Sequence, residues 1–250
     1  MESDIDTVVD RLISQQSHTK KKRGELVEMI HPDIFFKFNS VNLVIGRRGS
    51  GKTHMVLREI LKCKMLGIRE YTQVWYVTDK ERDDTYEKLE KLLEDKIQLN
   101  WITTKEAPQL LDVLEKGKAN LAEHPEFREC LNCEDLPPSI IPHTFIVFDD
   151  CIGLFSRTTA LAKKLYQTRQ SRVTAFLMMQ DVQGLNPSMK ANVDSLILFG
   201  GFPKHKFCSL FYQLPPVDFS YEQYWALRQQ DYALLDFVDG DVNIVYRQDN

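Results

Sequence analysis

The sequence predicts an α/β fold: a three-layer sandwich around a mainly parallel central sheet, closed by a C-terminal β-hairpin. Three observations carry that expectation. Thr144–Phe148 (TFIVF), Thr174–Met179 (TAFLMM) and Ser195–Phe199 (SLILF) are short runs with little polar content, as expected of strands buried on both faces of a parallel sheet. Stretches with helical spacing alternate with them, the pattern of strand–crossover–strand units. Val41–Leu61 (VNLVIGRRGSGKTHMVLREIL) joins an apolar strand to an amphipathic helix through a glycine-rich turn.

That joining stretch is the most informative in the chain. Gly46, Gly51, Lys52 and Thr53 fit G-x-x-x-x-G-K-[ST], the phosphate-cradling P-loop. Glycines let the backbone bend until its amide N–H groups face phosphate oxygens. The start of the following helix adds partial positive charge. Lys52 is suited to reach the β- and γ-phosphates, and Thr53 to set its hydroxyl on Mg²⁺. The expected nucleotide-binding set is Gly46, Arg47, Arg48, Gly49, Ser50, Gly51, Lys52, Thr53 and His54. The motif alone specifies a nucleoside triphosphate with Mg²⁺ and leaves the reaction open.

The 250 residues suffice for one large α/β domain with appendages. At 43% hydrophobic and 27% charged, the composition is that of a soluble globular protein. A net charge of −4 excludes a general polyanion binder, so any nucleic-acid contact must come from a local basic surface. No apolar run approaches the length of a membrane span, and the N-terminus is polar rather than a signal peptide. Five cysteines without framework spacing suggest a reducing compartment.

Residues 1–30 read as a polar, basic arm and 31–250 as the P-loop domain. In the arm, Ile5, Val8, Val9 and Leu12 share one helix face. Lys20, Lys21, Lys22 and Arg23 form a basic cluster that suits a solvated linker, a nuclear-import signal or a DNA-contacting arm. Ile34–Phe38 leads into the first strand or packs against it. The P-loop helix is expected to end near Gly67. Gln73–Thr78 reads as a strand, Asp79–Lys96 as a surface helix and Leu99–Thr103 as a strand. Thr104 reads as the cap of a helix from about Lys105 to Lys118. Residues 79–143 thus form a helical and loop insertion. Within it Cys130 and Cys133, with His124 and His143 nearby, have the spacing of metal ligands. A lone CxxC makes a loop with incidental cysteines the better reading. Ala160–Gln170 reads as a helix. In 230–250, two apolar runs flank Asp239-Gly240-Asp241, a hairpin signal.

A P-loop needs a second acidic element. Asp149 and Asp150 follow the buried run FIVF, at the carboxyl end of a strand, where ligands bind in open parallel sheets. Asp149 is the candidate for holding the Mg²⁺ water shell opposite Thr53. Neighbours on an extended chain point in opposite directions. One acid is then expected to face the metal and the other, Asp150, to orient or deprotonate the attacking water. Gln180 ends the next buried strand; if the two strands are neighbours, its amide can reach the γ-phosphate or that water. Arg169 and Arg172 precede that strand, and either is a candidate to offer a guanidinium to a neighbouring subunit's γ-phosphate.

The set GRRGSGKT (46–53), FIVFDD (145–150), TRQSRVTAFLMMQ (168–180) and KAN…LILFG (190–200) resembles the FtsK–HerA superfamily of DNA-pumping ATPases. Within it, the set is most similar to the genome-packaging ATPases of poxviruses, other large DNA viruses and virophages. The resemblance spans about Val41–Gly201. Those proteins carry an acid pair and a strand ending in glutamine, with an arginine eleven positions earlier. Arg169 stands at that separation from Gln180 and Arg172 does not. Much of the wider superfamily has glutamate where this chain has Asp150.

The resemblance implies a P-loop NTPase of RecA/ASCE type. It implies ATP hydrolysis with Mg²⁺ coupled to movement of double-stranded DNA into a capsid, by way of a capsid or portal contact. Lys52, Asp150, Gln180 and Arg169 become the catalytic set, with Arg169 acting in trans, and Thr53 and Asp149 the metal set. A homo-oligomeric ring, hexameric or pentameric, would enclose the DNA, with Lys190, Lys204 and Lys206 as candidate pore-facing residues. Such a protein would act in the host cytoplasm or nucleus, or with the virion, and is not expected to be secreted. Two rivals remain at this level: a small-molecule kinase, and a nucleotide-binding assembly protein with little hydrolysis.

Overall fold

The computed structural model describes residues 36, 38–65, 73–81, 87, 90–91, 98–123, 143–168, 171–228 and 231–245. The basic arm, most of the expected 79–96 helix, Gly67, Cys130, Cys133 and Arg169 lie outside the described residues. Among the described residues eight strands form one sheet: β1 (Val41–Ile45), β2 (Gln73–Val77), β3 (Gln98–Ile102), β4 (Thr144–Asp149), β5 (Val173–Met179), β6 (Ser195–Phe199), β7 (Tyr232–Asp236) and β8 (Val242–Val245). Their order is β3-β2-β4-β5-β1-β6-β7-β8. β1 to β6 pair in parallel, and β7 and β8 add the expected antiparallel hairpin at one edge.

The central strands are mostly apolar because both faces are covered. Val41, Leu43 and Ile45 of β1 enter one core and Val44 the other. Ile146 and Phe148 alternate with Phe145 and Val147 along β4 in the same way. One face carries α1 (Lys52–Met65), whose Met55, Val56, Ile60 and Cys63 pack on it beside Phe36 and Phe38. The other carries α2 (Leu110–Glu123), α3 (Ala160–Leu165), α4 (Pro187–Ala191), α5 (Lys204–Phe211) and α6 (Tyr221–Trp225). Among the described residues no helix is long and apolar enough to cross a membrane.

One buried polar group interrupts β1. Asn42 is fully buried; its carbonyl accepts from Ser195 Oγ at 2.6 Å, and its amide donates to Ser40 Oγ at 2.9 Å and to the Ala175 carbonyl at 3.4 Å. It ties β1 to both neighbouring strands. Asn42→Ala removes these bonds from a dry strand interface, so it is expected to cost about 1–3 kcal/mol. Urea unfolding checks this; a midpoint equal to wild type would show that the stitch does not hold the sheet.

Several local expectations are corrected. Thr104 does not cap a helix. Its amide and hydroxyl donate to Asp79 at 2.9 and 2.6 Å, tying the end of β3 to the end of β2. The helix starts later, with a 3₁₀ turn over Ala107–Gln109 running into α2. The Ala160–Gln170 helix is shorter: α3 starts on its Thr159 cap and ends at Leu165. Phe36 and Phe38 form no described strand. Phe36 instead packs edge-on against β4 and β5, 5.7 Å from Phe145 and 5.0 Å from Phe176. α5 and α6 are elements that strand and turn signals did not predict.

Candidate functional site

The site lies at the carboxyl ends of β1, β5 and β4. Register puts these ends level: Ile45 pairs with Met179, and Asp149 with Met178. Gly46 N–H then donates to the Met179 carbonyl at 3.3 Å, and Asp150 N–H to the Met178 carbonyl at 2.9 Å. The P-loop, Gln180 and the acid pair therefore emerge from three adjacent strands, with the Gln180 strand in the middle. This meets the condition on which Gln180 was singled out.

The loop is built for close backbone approach. A Cβ on Gly46 would lie 2.5 Å from Ser50 Oγ and 2.9 Å from Phe199 Cβ, so only glycine fits there. Gly49 and Gly51 take positive φ, 77° and 92°. The first α1 bond runs from Met55 N–H to the Gly51 carbonyl. The amides of Lys52, Thr53 and His54 thus belong to the helix end that has no intrahelical acceptors. Ser50 Oγ is buried and finds no hydrogen-bond partner among the described residues. A buried unsatisfied hydroxyl inside a glycine loop suits a ligand rich in acceptors. Arg47, Arg48 and Gly49 are exposed on the rim, as is His54, and Thr53 is half-buried in the first turn.

Lys52 folds over the loop, donating from Nζ to the Gly46 carbonyl at 2.9 Å and the Arg47 carbonyl at 3.1 Å. Burial pulls its pKa below the usual lysine value, against the raising influence of Asp150 and Asp149.

The acid pair departs from expectation. Asp149 is buried at the end of β4, but Asp150 has φ +56°, in the left-handed region. The chain is therefore not extended there, and the two carboxylates do not face opposite ways. They converge on one ammonium: Lys80 Nζ is 2.9 Å from Asp149 Oδ1 and 2.8 Å from Asp150 Oδ2. Asp149 Oδ2 accepts from the Tyr76 hydroxyl at 2.8 Å. Partial burial works to lower the Lys80 pKa, yet hydrogen bonds to Asp150 and Asp149 outweigh it and leave the pKa raised. Sequence reading missed Lys80 and Tyr76. Both depend on the pairing of β2 with β4.

Gln180 is exposed beside a cavity of about 910 Å³ that it lines with Arg47, Arg48, Asp181, His205 and Trp225. Arg172 is 1% exposed, at φ +52°, so it cannot reach a neighbouring subunit. Of the candidate pore lysines, Lys206 pairs with Asp181 at 2.8 Å and Lys190 donates to Gln213 at 2.7 Å. Lys204 lies 5.6 Å over the Tyr221 ring. His143 is buried against Thr174, its Nε2 3.0 Å from Oγ1. Among the described residues no three His, Cys, Asp or Glu side chains are grouped to hold a metal.

No protein-family model and no curated protein matches this sequence. Solved structures do match. The DNA-packaging ATPase B204 of Sulfolobus turreted icosahedral virus superposes with a TM-score of 0.58 at 14% identity, over 84% of this chain and 98% of that one. This chain therefore shares the fold of B204. The genome-packaging NTPase B204 of Sulfolobus turreted icosahedral virus 2, solved with ATPγS, gives 0.57 at 13% identity over 83% and 97%. The pCW3 conjugation coupling protein TcpA, also with ATPγS, gives 0.56 at 16% over 83% of this chain and 59% of that one. At these identities the likeness establishes the fold, over 98% of B204 and 84% of this chain.

Proposed function

We propose that this chain is an ATPase that hydrolyses ATP with Mg²⁺ to move double-stranded DNA, acting as a homo-oligomeric ring in viral genome packaging. The observation that carries the reading is the level arrangement of the P-loop, Gln180 and the acid pair on adjacent strand ends. A fold shared with B204 over almost its whole length supports the packaging role. The donor set fits Mg²⁺: Asp149 and Thr53 offer hard oxygens, and a nucleotide's phosphates complete such a site without a protein cage. When bound, the ion would draw charge from the phosphate oxygens.

The chain's own residues do the rest. The loop amides and Lys52 hold the β- and γ-phosphates. Asp150, one third exposed, takes or orients the proton of an attacking water. Gln180 positions that water or reads the γ-phosphate. Arg169 supplies a guanidinium to the adjoining subunit's γ-phosphate. The cavity beside Gln180, with Arg47, Arg48 and Trp225 on its walls, has room for the rest of the nucleotide. Contact with a capsid or portal, and work in the host cytoplasm or nucleus, belong to the same reading.

The test is ATP turnover by the full chain with and without long double-stranded DNA. DNA is expected to raise the rate several-fold. DNA-independent turnover that requires a small-molecule acceptor would overturn the motor reading in favour of a kinase.

A further inference from the structure

We propose that Lys80, bridged to Asp150, is an internal counter-cation that competes with the divalent metal for Asp149, and so sets how tightly the site takes a metal. The inference rests on the reading of Asp149 as the metal-side acid. Asp149 is 3% exposed, and a buried carboxylate needs partners for its charge. Both of its oxygens are engaged, Oδ1 by Lys80 at 2.9 Å and Oδ2 by Tyr76 at 2.8 Å. Each oxygen keeps a second lone pair, but a cation drawn to Asp149 meets the like charge of the Lys80 ammonium, which already sits on Oδ1.

The two partners are not equally able to yield. The Tyr76 ring is 1% exposed and stacks on Trp101 at 4.7 Å with planes 12° apart, so its hydroxyl is fixed. Lys80 is 46% exposed and carries its ammonium on a flexible four-carbon stem. Its backbone stays where it is. Lys80 N–H donates to Thr78 Oγ1 at 3.2 Å, Thr78 Oγ1 donates to the Asp149 carbonyl at 3.4 Å, and the preceding Asp79 is held by Thr104. Only the side chain needs to swing. A dication carries twice the ammonium's charge, so at Asp149 it outcompetes Lys80, which is displaced and free to turn toward solvent or phosphate.

Mn²⁺ is the probe, titrated into the full chain and followed by electron paramagnetic resonance, both alone and with saturating AMPPCP. Lys80→Met removes the charge and keeps the stem. It is expected to tighten Mn²⁺ binding about tenfold, a change reduced by solvent screening from the full Coulomb effect. Lys80→Gln should do the same, and Lys80→Arg should stay near wild type. Unchanged or weaker Mn²⁺ binding in both neutral variants would overturn the proposal. The arm without nucleotide reads the acid pair directly. A wild-type chain that binds no AMPPCP would count against the ATPase reading and leave the competition measurable.

Discussion

Asp150→Asn is expected to remove ATP turnover while leaving ATP binding nearly unchanged. The substitution isolates one property. Asn tolerates the left-handed backbone that position 150 adopts, as aspartate does. Its amide has the shape of the carboxylate, and its oxygen can still accept from Lys80. What disappears is the negative charge and the ability to take a proton. Loss of a positioned general base costs about 10²–10⁴-fold in rate, so phosphate release should fall to the assay background. The phosphate loop and Lys52 are untouched, so affinity for a fluorescent ATP analogue should stay within a few-fold. Asp150→Ala confounds the test, because alanine pays for the left-handed conformation by about 1–2 kcal/mol. A variant retaining a tenth or more of wild-type turnover would remove Asp150 from the chemistry and leave it as a partner of Lys80.

The same residue shows where sequence reading stops. The strands were legible because burial on both faces leaves unbroken apolar runs such as FIVF and FLMM. The glycines and Lys52 were legible because a phosphate cradle needs those residue types at one spacing. Strand order was not written in any local pattern. That Gln180 emerges between the P-loop and the acids follows from β5 inserting between β1 and β4. The period-two rule placed the two acids on opposite sides and failed, because a positive φ at Asp150 turns the chain out of extension. Lys80 stayed hidden since its sequence distance from Asp149 says nothing about contact until β2 and β4 are paired. α5 and α6 were obscured by aromatic residues without a clean helical stripe; Phe207, Phe219, Tyr221 and Tyr224 instead form one cluster beside the sheet. One signal was available there, the capping box of Ser220 and Gln223 at the start of α6.

Lys52→Ala is expected to abolish both ATP binding and turnover, a phenotype that separates it from Asp150→Asn. The Lys52 ammonium rests on two carbonyls of its own loop, and burial lowers its pKa toward the neutral form. The acid pair opposes that shift and favours the cation without touching it. Phosphate oxygens offer that cation a better partner than neutral carbonyls do. Two unit charges about 4 Å apart, at an effective dielectric near 20, interact by about 4 kcal/mol, or roughly a thousand-fold in an equilibrium or rate constant. Thermal unfolding provides the check. At a concentration of 100 times its dissociation constant, ATP stabilises a binding protein by about 2.7 kcal/mol. Wild type should show the corresponding rise in melting temperature, and Lys52→Ala should show none. The melting temperatures without ATP should be close, since Lys52 contributes no buried apolar packing to the core clusters. Lys52→Arg is expected to fail as well, because a planar guanidinium cannot settle on the same pair of carbonyls as a compact ammonium. An ATP-induced shift in Lys52→Ala equal to wild type would mean that the nucleotide binds elsewhere, and the reading of the whole strand-end site would fall with it.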